Sequence, residues 1–239
     1  MGAQQSGKGS RSAKSSNKMN NEIIETKANK ENMKNLSKTL LDDATSNKRF
    51  DAIEVKQWGN NLINELRTLL QSRYPQYIYC ISVYISEISA YVSNDGCFMD
   101  HDIDIAYLVT NYTDTLYSEV RVFAFEKRPR KYNFENITYD TGLFTNINNL
   151  LNRHLKGKTF ELEYFKGFAG DICLEISELI SSRNYGICSY NLGYINKLPM
   201  GEFYFDFKIF DAEYYPIFFN YSNNSFNSRF YLFLFNLRV

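Results

Sequence analysis

Apolar residues first recur at helical spacing between residues 30 and 45, where Met33, Leu36, Leu40 and Leu41 stand among Lys, Asn and Asp. That pattern predicts an amphipathic helix with one buried stripe. A broader stripe of Val55, Trp58, Leu62, Leu66, Leu69 and Leu70 predicts a second helix from about 53 to 72, stopped by Pro75. Beyond Pro75 the helical period gives way to β-forming runs. Tyr77 to Ile85, Ile88 to Val92, Ile103 to Thr110 and Leu116 to Phe125 read as strands, with turn signals at Asn94-Asp95-Gly96 and from Asn111 to Asp114. The predicted order is helix, helix, then four antiparallel strands.

The same pattern returns later in the chain. Phe50, Val55, Trp58, Leu62, Leu66 and Leu69 reappear 110 residues on as Phe160, Phe165, Phe168, Ile172, Ile176 and Leu179. Ser72-Arg73 returns as Ser182-Arg183, Tyr84-Ile85 as Tyr194-Ile195, and Ser118 to Phe125 as Ser228 to Phe235, all at one offset without a gap. Ile147, Leu150, Leu151 and Leu155 supply the first helix of this second set. A period this long is too large for a solenoid unit and suits a small domain. The predicted fold class is therefore α+β: two tandem two-helix, four-stranded antiparallel domains at 26–126 and 141–239, joined by a linker at 127–140. Phe203 to Phe210 alternates poorly, which predicts a strand covered on both faces. The linker reaches up to about 50 Å if extended, enough for the two copies to pair side by side within one monomer as a pseudo-dimer.

Charge narrows the partners. Lys plus Arg equals Asp plus Glu at 27 each, so the chain lacks the basic field that nucleic acid demands. Cys80, Cys97, Cys173 and Cys188 form neither a CxxC pair nor a dense framework, which fits a reducing cytoplasm. No run approaches 18 apolar residues. Residues 1–25 are mostly polar and predict a disordered tail. That tail opens Met1-Gly2-Ala3-Gln4-Gln5-Ser6, the pattern for acylation of Gly2, and Lys8, Arg11, Lys14 and Lys18 follow as a second, electrostatic membrane signal. The alternative is a solubilising tail. Gly2, Gly7 and Lys8 also have phosphate-loop spacing, but Gly9 replaces the required Ser or Thr and no strand precedes them.

Candidate chemistry is sparse. Asp100-His101-Asp102-Ile103-Asp104 fails the calcium-loop pattern, since Ile105 and Asn111 occupy the Gly and Glu places, and reads as a solvated turn. His154, between Arg153 and Lys156, reads as a cationic helix end. Lys127, Arg128, Arg130 and Lys131 read as a solvated linker. No nucleophile with a partnering base is visible, so no catalytic residue, metal or cofactor is predicted.

Residues 30 to 125 resemble the Tctex-type dynein light chains. The resemblance rests on four pieces in the family's order. Val55-Lys56-Gln57-Trp58 with Asn61 is similar to the entry of its second helix, and Tyr77 to Ile85 to its first strand. Cys97-Phe98-Met99-Asp100 with Asp104 is similar to a Cys-Phe-Trp-Asp motif, and Thr115-Leu116-Tyr117 with Val120 and Phe123 to the closing strand. Met99 departs from the family's Trp and Asn111 from an aromatic, while Phe210 and Tyr214 replace the two Asp in the second copy. The resemblance implies a non-catalytic subunit that binds an extended segment of dynein intermediate chain, or of cargo, in the cytoplasm on the cytoskeleton; the tail's Gly2 pattern and basic residues separately suggest a peripheral membrane tether. An open sheet edge can accept such a segment as an added strand. The expected edges are Tyr107, Val109 and Asn111 in the first copy and Tyr215, Ile217 and Phe219 in the second. A membrane-anchored cytoskeletal scaffold that keeps the fold without binding dynein is the alternative.

Overall fold

A computed structural model describes residues 10–87, 92–100, 102–127, 141–158, 162–180, 185–194, 203–210, 212, 214–222 and 227–236. The element order is α1 (Ser10–Thr45), α2 (Glu54–Arg73), β1 (Tyr77–Glu87), β2 (Val92–Phe98), β3 (Ile105–Tyr112) and β4 (Leu116–Glu126). It continues with α3 (Thr141–Leu155), α4 (Leu162–Ile180), β5 (Tyr185–Tyr194), β6 (Phe203–Phe210), β7 (Tyr214–Ser222) and β8 (Asn227–Asn236).

Both helical stripes bury as their periodicity requires. Met33 and Leu41 of α1 and Val55, Leu62, Ile63, Leu66 and Leu70 of α2 enter one core with Tyr79, Ile81, Val83 and Ile85 of β1 and Val120, Val122 and Ala124 of β4. Asp51 starts α2 by accepting the N–H groups of Ile53 at 2.8 Å and Glu54 at 2.9 Å. Those donors, Glu54 foremost, hold its carboxyl below the ordinary range. At the other end the Tyr79 hydroxyl donates to the carbonyls of Leu70 and Tyr74. Lys48 lies over the Trp58 ring, 4.4 Å from its centroid.

The strands do not stay with their own helices. One sheet has the order β3-β4-β1-β6 and the other β2-β5-β8-β7, and every pairing is antiparallel. Each sheet therefore takes three strands from one half of the chain and one from the other. In the second half, α3 and α4 cover Ile187, Ile217, Phe230, Leu232 and Leu234. A third apolar cluster lies between the sheets, built from Ile78, Cys80, Phe123 and Phe125 with Cys188, Ile209 and Phe233. Phe207 of β6 stacks on Phe233 of β8 with centroids 4.0 Å apart and planes 7° apart. The layers run helices, sheet, sheet, helices.

Several expectations need correction. Helix α1 begins at Ser10, covering most of the segment expected to be disordered; positions 10 to 45 contain no Gly or Pro, so a helix nucleated by the apolar turns can propagate backward cheaply. Asn94-Asp95-Gly96 is not a turn but the middle of β2, opposite Asn191, Tyr190 and Ser189. Pairing with a distant strand there overrides the local turn signal. Asn111 likewise belongs to β3, and the turn follows it. Leu179 is exposed rather than buried. The repeat is not gapless either: Cys80 pairs with Phe123 as Cys188 pairs with Phe233, an offset of 108 for the cysteines and 110 for the phenylalanines. The linker at 128–140 lies outside the described residues.

Candidate partner-binding site

A strand can be added only where a sheet ends, and the two sheets end at β3 and β6 and at β2 and β7. These four edges differ in how well they repel another chain. β7 carries Pro216, which lacks a donor, β6 carries Asp206 and Lys208, and β2 carries Asp95 and Gly96. β3 reads Ile-Ala-Tyr-Leu-Val-Thr-Asn-Tyr, eight residues with no charge, Pro or Gly. It has the fewest of the features that blunt an edge.

The turn beside β3 reveals which of its backbone groups are free for a partner. Thr113 N–H donates to the Leu116 carbonyl at 2.9 Å, which makes that opposed pair a hydrogen-bonded one. Hydrogen-bonded pairs alternate along an antiparallel ladder, so Asn111, Val109, Tyr107 and Ile105 spend their backbone groups on β4. The groups of Ala106, Leu108, Thr110 and Tyr112 point away from it.

Side chains follow the same alternation, and this corrects the expected site. Tyr107 and Val109 are buried beneath α1, where the Tyr107 hydroxyl meets Ser37 Oγ at 2.9 Å and burial pushes its phenol up. Asn111 Nδ2 donates to Thr45 Oγ1 at 3.0 Å. All three sit on an edge strand but face inward, whereas Leu108 and Tyr112 are exposed. Ile217 on edge strand β7 is buried and Phe219 packs on the second core, while Tyr214 and Phe218 are the exposed aromatics there. The Tyr215 side chain lies outside the described residues. The outward set was legible in the sequence, because the large apolar residues Ile105, Tyr107 and Val109 already mark the inward parity of the strand.

The remaining candidates are structural. Asp104 is buried rather than solvated, and its two carboxylate oxygens accept the N–H groups of Asp100 at 2.8 Å and Glu126 at 2.9 Å. It ties the turn before β3 to the end of β4. Asp104→Ala is expected to lower stability by about 2 kcal/mol by stranding those donors, and Asp104→Asn by less, as read from the urea midpoint. His101 lies outside the described residues. His154 and Arg153 in the last turn of α3 both meet Glu175 of α4, His154 at 2.6 Å, so they join two helices. Burial pushes the thiols of Cys97 and Cys188 well up and that of Cys173 up to about 12, which keeps them as thiols and poor nucleophiles.

Two helices over a sheet that receives one strand from elsewhere is the arrangement of the first half, and a family comparison covers that half. Residues 27–125 match the Tctex-1 family. No curated protein matches the chain. The matched segment runs from within α1 almost to the end of β4, and so contains α2, the exchanged strand β2 and the uncharged edge β3.

Proposed function

We propose that the chain is a non-catalytic, dynein light chain-like adaptor: two tandem Tctex-like copies paired within one molecule, accepting an extended segment of dynein intermediate chain or cargo on β3. The observation that carries this reading is the reciprocal exchange of β2 and β6 between the halves of the chain, which supports a pairing of two copies. The Tctex-type match over residues 27–125 supports the kind of partner. The outward backbone of Ala106, Leu108 and Thr110 supports the mode, since added strands bind through main-chain groups and are read by alternate side chains.

The same reading places the adaptor at the cytoskeleton with its amino terminus on a membrane surface. None of the described helices is long and apolar enough to cross a membrane. Residues 1–9, with Gly2 and Lys8, lie outside the described residues, and Arg11, Lys14 and Lys18 fall within α1. An acyl chain on Gly2 with those basic residues would supply the two signals that stable anchoring takes.

Affinity purification from the native cells, with the tag at the carboxyl end to leave Gly2 free, tests both parts. Dynein intermediate and heavy chains among the top partners, with an acylated Gly2 in the mass of the amino-terminal peptide, are expected. Recovery of membrane-skeleton proteins without dynein would replace this reading with the scaffold. An unmodified Gly2 would remove the tether.

A further inference from the structure

The two exchanged strands are seated in sites of complementary size, and we infer that this size match selects which halves pair. On the first sheet, Tyr204 of β6 is buried in the core of α1, α2, β1 and β4. Its ring lies against Gly59 of α2: a Cβ built on Gly59 would fall 1.9 Å from Tyr204 Cε1 and 2.6 Å from Cδ1 and Cζ. The ring fits only because position 59 has no side chain. Glycine within a helix is destabilising relative to alanine, so the notch runs against helix propensity. The adjoining residue Asn60 accepts a hydrogen bond from Lys208 Nζ at 2.9 Å, which fixes β6 along the same helix.

The second sheet has the opposite pair. Gly59, Leu62, Ile63 and Leu66 are among the buried positions of α2, and Ala169, Ile172, Cys173 and Ile176 repeat that spacing in α4, so Ala169 stands where Gly59 does. The strand position matching Tyr204 follows from register. Tyr204 pairs with Ile85 of β1, and Val92 pairs with Gly193 of β5. Ile85 and Gly193 each lie five residues beyond the matched cysteines Cys80 and Cys188. Thus Tyr204 meets glycine in one sheet, and the positions that match them in register and helix spacing in the other sheet are valine and alanine.

Mixed pairing satisfies both seats, and like-with-like pairing satisfies neither. Two second halves would drive the Tyr204 ring onto the Cβ of Ala169, an overpacking that a close-packed core does not accommodate without strain. Two first halves would put Val92 at the Gly59 notch and leave it underfilled. The first half therefore accepts the second half of its own chain and discriminates against a second copy of itself.

This inference rests on the paired-copy reading, and full-length variants separate the two. Gly59→Ala is expected to lower Tm by about 5 °C despite its better helix propensity. Tyr204→Val in that background, which gives the first sheet the Ala and Val of the second, is expected to recover at least half of the loss. The exchanged key, Val92→Tyr with Tyr204→Val, is expected to shift the mass by light scattering from 28.0 kDa to about twice that value. A double variant no more stable than Gly59→Ala overturns the size match, and so does an exchanged key that remains a monomer with the wild-type Tm. A wild-type chain that itself has the doubled mass overturns the paired-copy reading instead.

Discussion

Arg121→Ala is expected to destabilise the protein by about 3–5 kcal/mol, a loss set by the charge it leaves behind. Glu119 and Arg121 are only 1% and 7% exposed and lie two residues apart on β4, on the face turned toward the other sheet. Arg121 Nε donates to Glu119 Oε1 at 3.1 Å and Nη2 to Oε2 at 3.3 Å, and the Tyr117 hydroxyl donates to Oε2 at 2.5 Å. Burial first, and then the Glu119 charge, push the Tyr117 phenol upward. Truncating the arginine keeps the carboxylate buried while removing this hydrogen-bonded counter-charge, and losing one partner of a buried ion pair costs far more than losing a surface pair. Thermal unfolding should show a Tm lower by about 10 °C or more. The double variant Arg121→Met with Glu119→Leu should recover most of it, because an apolar pair of similar volume carries no desolvation penalty. A single variant within about 1 kcal/mol of wild type would mean that water reaches the pair.

Leu108→Pro is expected to weaken capture of an extended partner by about 10- to 100-fold while leaving the fold intact. The backbone N–H of Leu108 points away from β4, so proline there removes a donor from the open edge without breaking the existing ladder. Val109→Pro is the contrasting control, since its N–H is spent on β4 and its side chain is buried. Titration of a labelled dynein intermediate-chain segment, with circular dichroism alongside, separates the two. Undiminished binding by a folded Leu108→Pro protein would move the site to another edge.

Local periodicity was a good guide to what is local. The stripes of α1 and α2, the strand Tyr77 to Ile85 and the closing strand all bury as their spacing requires, because each pattern is enforced by the nearest core. It failed where a distant segment decides. Asn94-Asp95-Gly96 carries every mark of a turn and is nonetheless held extended by β5, from the other half of the chain. The poor alternation of Phe203 to Phe210 did announce a covered strand, and β6 is indeed flanked by β1 and by the stacked ring of Phe233. The expected strands β3 and β7 do end their sheets, but the residues chosen on β3 have the inward parity. Choosing Tyr107, Val109 and Asn111 selected the parity that faces the core, and a shift of one residue reverses every face of a strand.

The exchange of strands also sets a timetable for synthesis. Tyr79 pairs with Phe210, so the first sheet closes only after most of the chain has been made. Until then β1 offers an unpaired edge of buried, strongly β-forming residues, and β2 has no sheet to join. Contacts of such long sequence separation form slowly, and an open edge is where nascent chains stick to one another. A message truncated after residue 126 would thus release a segment with the family's whole sequence pattern but half of its sheet partners missing. The smallest unit that can both cover β1 and seat β2 therefore runs from α1 into the strands of the second half.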